Sequence, residues 1–133
     1  MISAKNGNLR GVSGAGGSCF YRAVAYQLCE RERKPYHDTT EVARLRRRVR
    51  EYLQQHARDP VPNDPQLKWQ DLGRYPAGYA EAPVPQAMPY VVQCPLTVYL
   101  NGESILYGKE LPGEPLGVRL SGEHYVIQYG IRL

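Results

Sequence analysis

Apolar positions keep a helical period through the first half of this chain and an alternating one through its last third. Phe20, Val24, Gln27 and Leu28 recur at helical spacing, with Ala23 and Ala25 as good helix formers among them. This predicts a first helix from about Cys19 to Arg31. Lys34-Pro35-Tyr36-His37 breaks it. Asp38 then reads as an N-cap, with Glu41 three residues on as its partner in a capping box. A second helix is expected from about Thr39 to Ala57, with Val42, Leu45, Val49, Tyr52, Leu53 and His56 as its apolar stripe. The segment 59–65 carries three prolines and reads as a loop. Trp69 and Leu72 suggest a short helical turn, and Arg74 to Ala82 a loop of Gly, Pro and Tyr. Pro85 to Val92 predicts a third helix, with Pro85 in its first turn and Pro89 awkward inside it.

Past Cys94 the period shortens to that of strands. Pro95 to Leu100 is one strand, Asn101-Gly102 a strong hairpin signal, and Ser104 to Tyr107 the returning strand. Leu116 to Leu120 and Tyr125 to Tyr129 follow, joined by a tight turn at 121–123. A short strand is expected near the N-terminus, from Leu9 to Val12. Helices followed by a run of adjacent strands predict an α+β fold with a small, mostly antiparallel sheet packed against helices. The 133 residues fit a single domain spanning 1–133.

Composition narrows the function classes. Cys19, Cys29 and Cys94 are three cysteines without close spacing, which fits neither a disulfide framework nor a zinc pattern and suits a reducing compartment. The start of the chain lacks the basic-then-apolar pattern of a signal peptide, and no run approaches the roughly 20 apolar residues of a membrane span. The net charge of +4 permits nucleic-acid binding, but most of it comes from Arg44, Arg46, Arg47, Arg48 and Arg50. These read as the solvated face of the second helix, without the interleaved aromatics of a nucleic-acid surface. His56 ends that helix as a dipole or packing residue.

The chemistry centres on residues 14–25. A loop with three glycines leads into Cys19 at the mouth of the first helix. A helix N-terminus offers unpaired N–H groups and the positive end of the macrodipole, both of which stabilise a sulfur anion. A buried structural cysteine is the competing reading. His124, where a tight turn enters the last strand, is the histidine on the most rigid mount, and a Cys–His pair meets in space rather than in sequence.

Gly16-Gly17-Ser18-Cys19-Phe20-Tyr21-Arg22-Ala23 resembles the first motif of the ovarian tumour family of cysteine deubiquitinases, Asp-Gly-x-Cys followed by two apolar or aromatic residues and Arg-Ala. Gly78-Tyr79-Ala80-Glu81 through Pro95-Leu96-Thr97-Val98-Tyr99 resembles the second block, and His124-Tyr125 the third. The resemblance implies Cys19 as nucleophile and His124 as general base and acid. The bond cut would be the one after the C-terminal glycine of ubiquitin or a ubiquitin-like protein, in polyubiquitin chains among others. It implies an oxyanion hole from the backbone N–H groups of Gly16, Gly17 and Cys19, no metal or organic cofactor, and a groove for the Gly-Gly tail to which Tyr125, and less readily Trp69 and Tyr79, would contribute. A compact version of this kind suggests a monomer of viral or bacterial-effector type acting in a host cytosol, with neither nucleic acid nor membrane as partner.

Two positions depart from the family. Gly16 replaces its Asp, and Val126 stands where many relatives carry the Asp or Asn that orients the histidine. Asn6 and Asn8 are the upstream candidates for that third member, Asn8 preferred because it opens the first strand. Glu123 adjoins His124 but is expected to point away. Cys29, ten residues after Cys19 on the same helix, and Cys94 read as packing. A catalytically weak ubiquitin-binding module on the same fold is the alternative, and a basic nucleic-acid binder a more distant one.

Overall fold

The computed structural model describes residues 9–10, 18–62, 64–72, 83–122 and 124–129. Element order is β1 (Leu9–Arg10), α1 (Cys19–Glu32), α2 (Asp38–Gln55), β2 (Pro60–Val61), β3 (Asp64–Lys68), a 3-10 turn (Trp69–Leu72), α3 (Val84–Val92), β4 (Leu96–Leu100), β5 (Glu103–Tyr107), β6 (Leu116–Ser121) and β7 (His124–Gln128). The fold class is α+β. Five strands form one sheet in the order β1-β7-β6-β4-β5, and β2 and β3 form a separate ribbon. Within the large sheet every pairing is antiparallel except β4 with β6, which runs parallel.

Helix α1 is the centre of the molecule. Cys19, Phe20, Tyr21, Ala23, Val24, Ala25, Gln27 and Cys29 are all buried, so it is covered on nearly every side, by β6 and β7 on one and α2 on another. It stops where Arg33 turns left-handed at φ 55°. There the N–H groups of Arg33 and Lys34 return to the carbonyls of Glu30 and Cys29, which satisfies the last turn before Pro35. Helix α2 is amphipathic in the ordinary way, burying Val42, Leu45 and Val49. Its start corrects the expected cap. His37 is the N-cap residue and Asp38 the first helical one, without a side-chain cap. The Asp38 carboxylate is taken instead by Arg22 and by the Tyr36 hydroxyl.

The proline-rich segment read as a loop is a second correction. Pro60 and Val61 pair with β3, and Trp69, at the end of that ribbon, donates its backbone N–H to the Asp59 carbonyl. Prolines fit at the ends and edges of so short a ladder. The ribbon buries Val61 and Trp69 against Ala87 of α3, a small core beside the main one. Pro89 sits inside α3 as expected. It supplies no N–H to the helix, and its ring packs so closely on Gly108 that a Cβ there would lie 2.5 Å from the Pro89 Cβ.

The Asn101-Gly102 hairpin has positive φ at both residues, 45° and 80°, the type I′ geometry that matches strand twist. Leu96, Val98, Leu116, Val118 and Ile127 form the sheet's buried face and meet Phe20, Val24, Val49 and Met88 from the helices.

A buried side-chain amide sets the height of α1 on this sheet. Gln27 Nε2 donates to the Gly117 carbonyl at 2.9 Å, and the Gly117 N–H donates back to Gln27 Oε1 at 3.2 Å. The amide thus pairs with both polar groups of one strand residue, as a neighbouring strand would. Gly117 is required there, because a Cβ would lie 1.9 Å from the Gln128 carbonyl oxygen. Gln27→Leu strands both groups of Gly117 in the core and is expected to cost about 2–4 kcal/mol in urea unfolding. Gly117→Ala should cost more, because the added methyl collides with main chain rather than with a movable side chain.

Candidate functional site

Cys19 is the first residue of α1. Ser18 before it accepts the opening bond of the helix, Arg22 N–H to Ser18 O at 2.9 Å, but supplies no side-chain cap. The Ser18 hydroxyl is occupied elsewhere: Arg46 Nη2 of α2 donates to it at 2.8 Å. The same guanidinium lies over the Tyr21 ring, 4.3 Å from its centroid, a cation–π contact worth about 1 kcal/mol when half-buried. Arg46 therefore does not belong to a solvated basic face. Arg48 stays exposed but donates to the Val91 carbonyl at 2.6 Å.

The sulfur of Cys19 meets the last strand. The backbone N–H of Tyr125 donates to Cys19 Sγ at 3.2 Å, across 106 positions of sequence. Two covalent bonds, spanning about 2.4 Å, separate that nitrogen from the Cα of His124. The His124 Cα consequently lies within about 6 Å of the sulfur. The Tyr125 ring packs edge-on against Phe20, with centroids 5.0 Å apart, so the residues after Cys19 and after His124 are fastened to each other as well. Burial pushes the Tyr125 phenol up, and charge on Cys19 and Tyr107 acts in the same direction.

Strand pleating decides where the side chains leave. Tyr125 and Ile127 face the helices, so His124 and Val126 leave from the opposite face. Backbone N–H groups lie in the plane of a sheet, and a sulfur that accepts one is level with the strand edge rather than sunk behind either face. His124 is exposed and Cys19 is 2% exposed. The structure thus brings Cys19, the peptide between residues 124 and 125, and the Tyr125 ring together at one strand edge.

Other sequence candidates fall elsewhere. Gly16, Gly17, Asn6, Asn8, Tyr79 and Glu123 lie outside the described residues. Trp69 is buried in the small core, and His56 caps α2 with Nδ1 2.7 Å from Asp59 Oδ2. Cys29 and Cys94 are free thiols. Burial pushes Cys29 up, with Glu41 adding to it, and burial likewise raises Cys94. Among the described residues no group of three His, Cys, Asp or Glu could hold a metal ion, and no helix is long and apolar enough to cross a membrane.

Neither a protein-family model nor a curated protein matches the chain.

Sequence reasoning missed the contact of Arg46 with Ser18. The local signal was its place beside the apolar stripe, four residues after Val42 and three before Val49, which sets it at the margin of the buried face. Its partners lie 25 and 28 residues away, where spacing gives no cue.

Arg22, of the same motif, ties α1 to the start of α2: its Nε lies 2.9 Å and 3.1 Å from the two Asp38 carboxylate oxygens. Burial alone would raise the Asp38 carboxyl, but hydrogen bonds from Arg22 and Tyr36, with the Arg22 charge, outweigh it and hold it below the usual value. A lowered carboxyl stabilises the fold above its unfolded pKa, and that contribution is lost as pH falls through the folded value. Asp38 is 45% exposed, so solvent screening leaves about 0.5 kcal/mol. Wild type should exceed Asp38→Asn in urea midpoint at pH 6, and the gap should close as pH drops below about 3.8, the ordinary Asp value.

Proposed function

We propose that the chain is a cysteine protease of the ovarian tumour type, hydrolysing the peptide or isopeptide bond after the C-terminal glycine of ubiquitin or a ubiquitin-like protein. One observation carries this reading: the sulfur at the mouth of α1 accepts the N–H next to His124. It joins the two motif blocks that sequence alone leaves 105 positions apart.

In the proposed reaction His124 takes the thiol proton and Cys19 Sγ attacks the carbonyl carbon of the terminal glycine. A C–S bond forms and the carbonyl electron pair moves onto oxygen. The Cys19 N–H, in the first helical turn, would face that charge, and Gly16 and Gly17 would complete the hole. The pair then returns, the C–N bond breaks, and the imidazolium protonates the departing amine. Water activated by the same imidazole adds to the thioester, releasing the ubiquitin carboxylate and the thiol.

The near-complete burial of Cys19 favours a second reading, a ubiquitin-binding module with little turnover. Gly16 and Val126 lean the same way. A nucleic-acid role loses support, because Arg46 and Arg48 are spent on contacts within the protein.

An electrophilic ubiquitin C-terminal probe decides between the first two. Wild type should form an adduct that Cys19→Ala does not, and a fluorogenic ubiquitin amide should be cleaved. His124→Ala should slow cleavage about 100- to 10,000-fold, while Asn8→Ala should cost far less. Ubiquitin binding without labelling at any pH would move the assignment to the second reading.

A further inference from the structure

We infer that Arg46 is a positioning residue for the Cys19 nucleophile, acting through Ser18; the inference rests on the protease reading above. The argument is geometric. Ser18 is the last residue before α1, and its φ and ψ of −93° and 2° set the direction in which the chain enters the helix. Its hydroxyl is 8% exposed at the residue level and accepts from Arg46 Nη2 at 2.8 Å. Arg46 is itself held by the Tyr21 ring, three residues after Ser18 and on the same face of the helix. One planar group from α2 therefore clamps the residue before Cys19 and the second residue after it.

A serine hydroxyl at an N-cap ordinarily turns inward to bond the N–H groups of the first turn. Here it accepts from Arg46, and no side-chain cap forms. The clamp fixes the peptide that carries the Cys19 N–H, a donor to the developing oxyanion in the proposed reaction. It acts on the chemical step and not on the affinity for a ubiquitin surface.

The test is steady-state turnover of a fluorogenic ubiquitin amide by Arg46→Met, Arg46→Lys, Ser18→Ala and the double variant Arg46→Met with Ser18→Ala. Melting curves establish that each variant is folded. Arg46→Met should lower kcat about 10- to 100-fold with KM within about threefold. Arg46→Lys, which keeps a donor but not the planar fork, should recover part of the loss. Ser18→Ala should fall less than Arg46→Met, because Arg46 keeps its hold on Tyr21. The double variant should be no slower than Arg46→Met, as for two groups acting through one contact.

Full turnover in folded Arg46→Met, a loss confined to KM, or losses that multiply in the double variant would each overturn the inference. So would an Arg46→Met that fails to fold while Ser18→Ala keeps wild-type kcat. A wild-type chain that neither labels with the ubiquitin probe nor cleaves the amide sinks the protease reading, and this inference with it.

Discussion

Side-chain hydrogen bonds fix helix α1 to two neighbouring strands, and the rest of the molecule is arranged around them. At one end Cys19 Sγ accepts the Tyr125 N–H of β7; at the other the Gln27 amide closes on Gly117 of β6, which lies beside Gln128 of β7. The eight residues from 19 to 27 rise about 12 Å along a helix. The three from 125 to 128 advance about 10 Å along a strand. The spans match, so α1 can run alongside β7 with one end fastened to it and the other to the adjoining β6. Between the pins, Val24 and Ile127 belong to one buried cluster. Apolar burial supplies the free energy of this contact, but it would tolerate sliding. The polar pins do not, because a shift of one helical residue would leave Gly117 unpaired in the core.

A cysteine mounted this way has little freedom of its own. Cys19 begins a helix that is buried on nearly every side, and α2 holds the entry to that helix through Arg46 and its first turn through Arg22. Cys19 is only 2% exposed, so the acyl transfer proposed above would require the sulfur to be uncovered without moving the helix that carries it.

Sequence carried much of this. The period of α1, the hairpin at Asn101-Gly102 and the four C-terminal strands were legible because their signals are local: side-chain spacing within one element, or two residues whose backbone must take positive φ. The features that escaped notice are set by partners distant in the chain. Asp38 had the spacing of a capping box, yet Arg22 and Tyr36 offered its carboxylate stronger bonds than the helix did, and the helix began one residue early. Prolines at 60, 62 and 65 concealed a ribbon that exists because Val61 and Trp69 find Ala87 to pack on. Arg46 and Gly117 look ordinary until the elements facing them are known. At the site the pairing of residue 19 with the start of the last strand rested on a motif resemblance, and no local pattern could have supplied it.

The three cysteines make the same point from the side of reactivity. All are free, and Cys19 and Cys29 are equally buried at 2% exposure, so burial does not distinguish them. Environment does. Cys29 lies in the last turn of α1, where burial pushes its thiol up and the Glu41 carboxylate adds to that. Cys94 gains a bond from the Leu116 backbone and the influence of Arg31, yet burial prevails there too. Cys19 alone stands at a helix mouth, with a strand N–H directed at its sulfur and the helix's own donors beside it. Of the three cysteines, Cys19 is the one placed where α1 meets the start of β7.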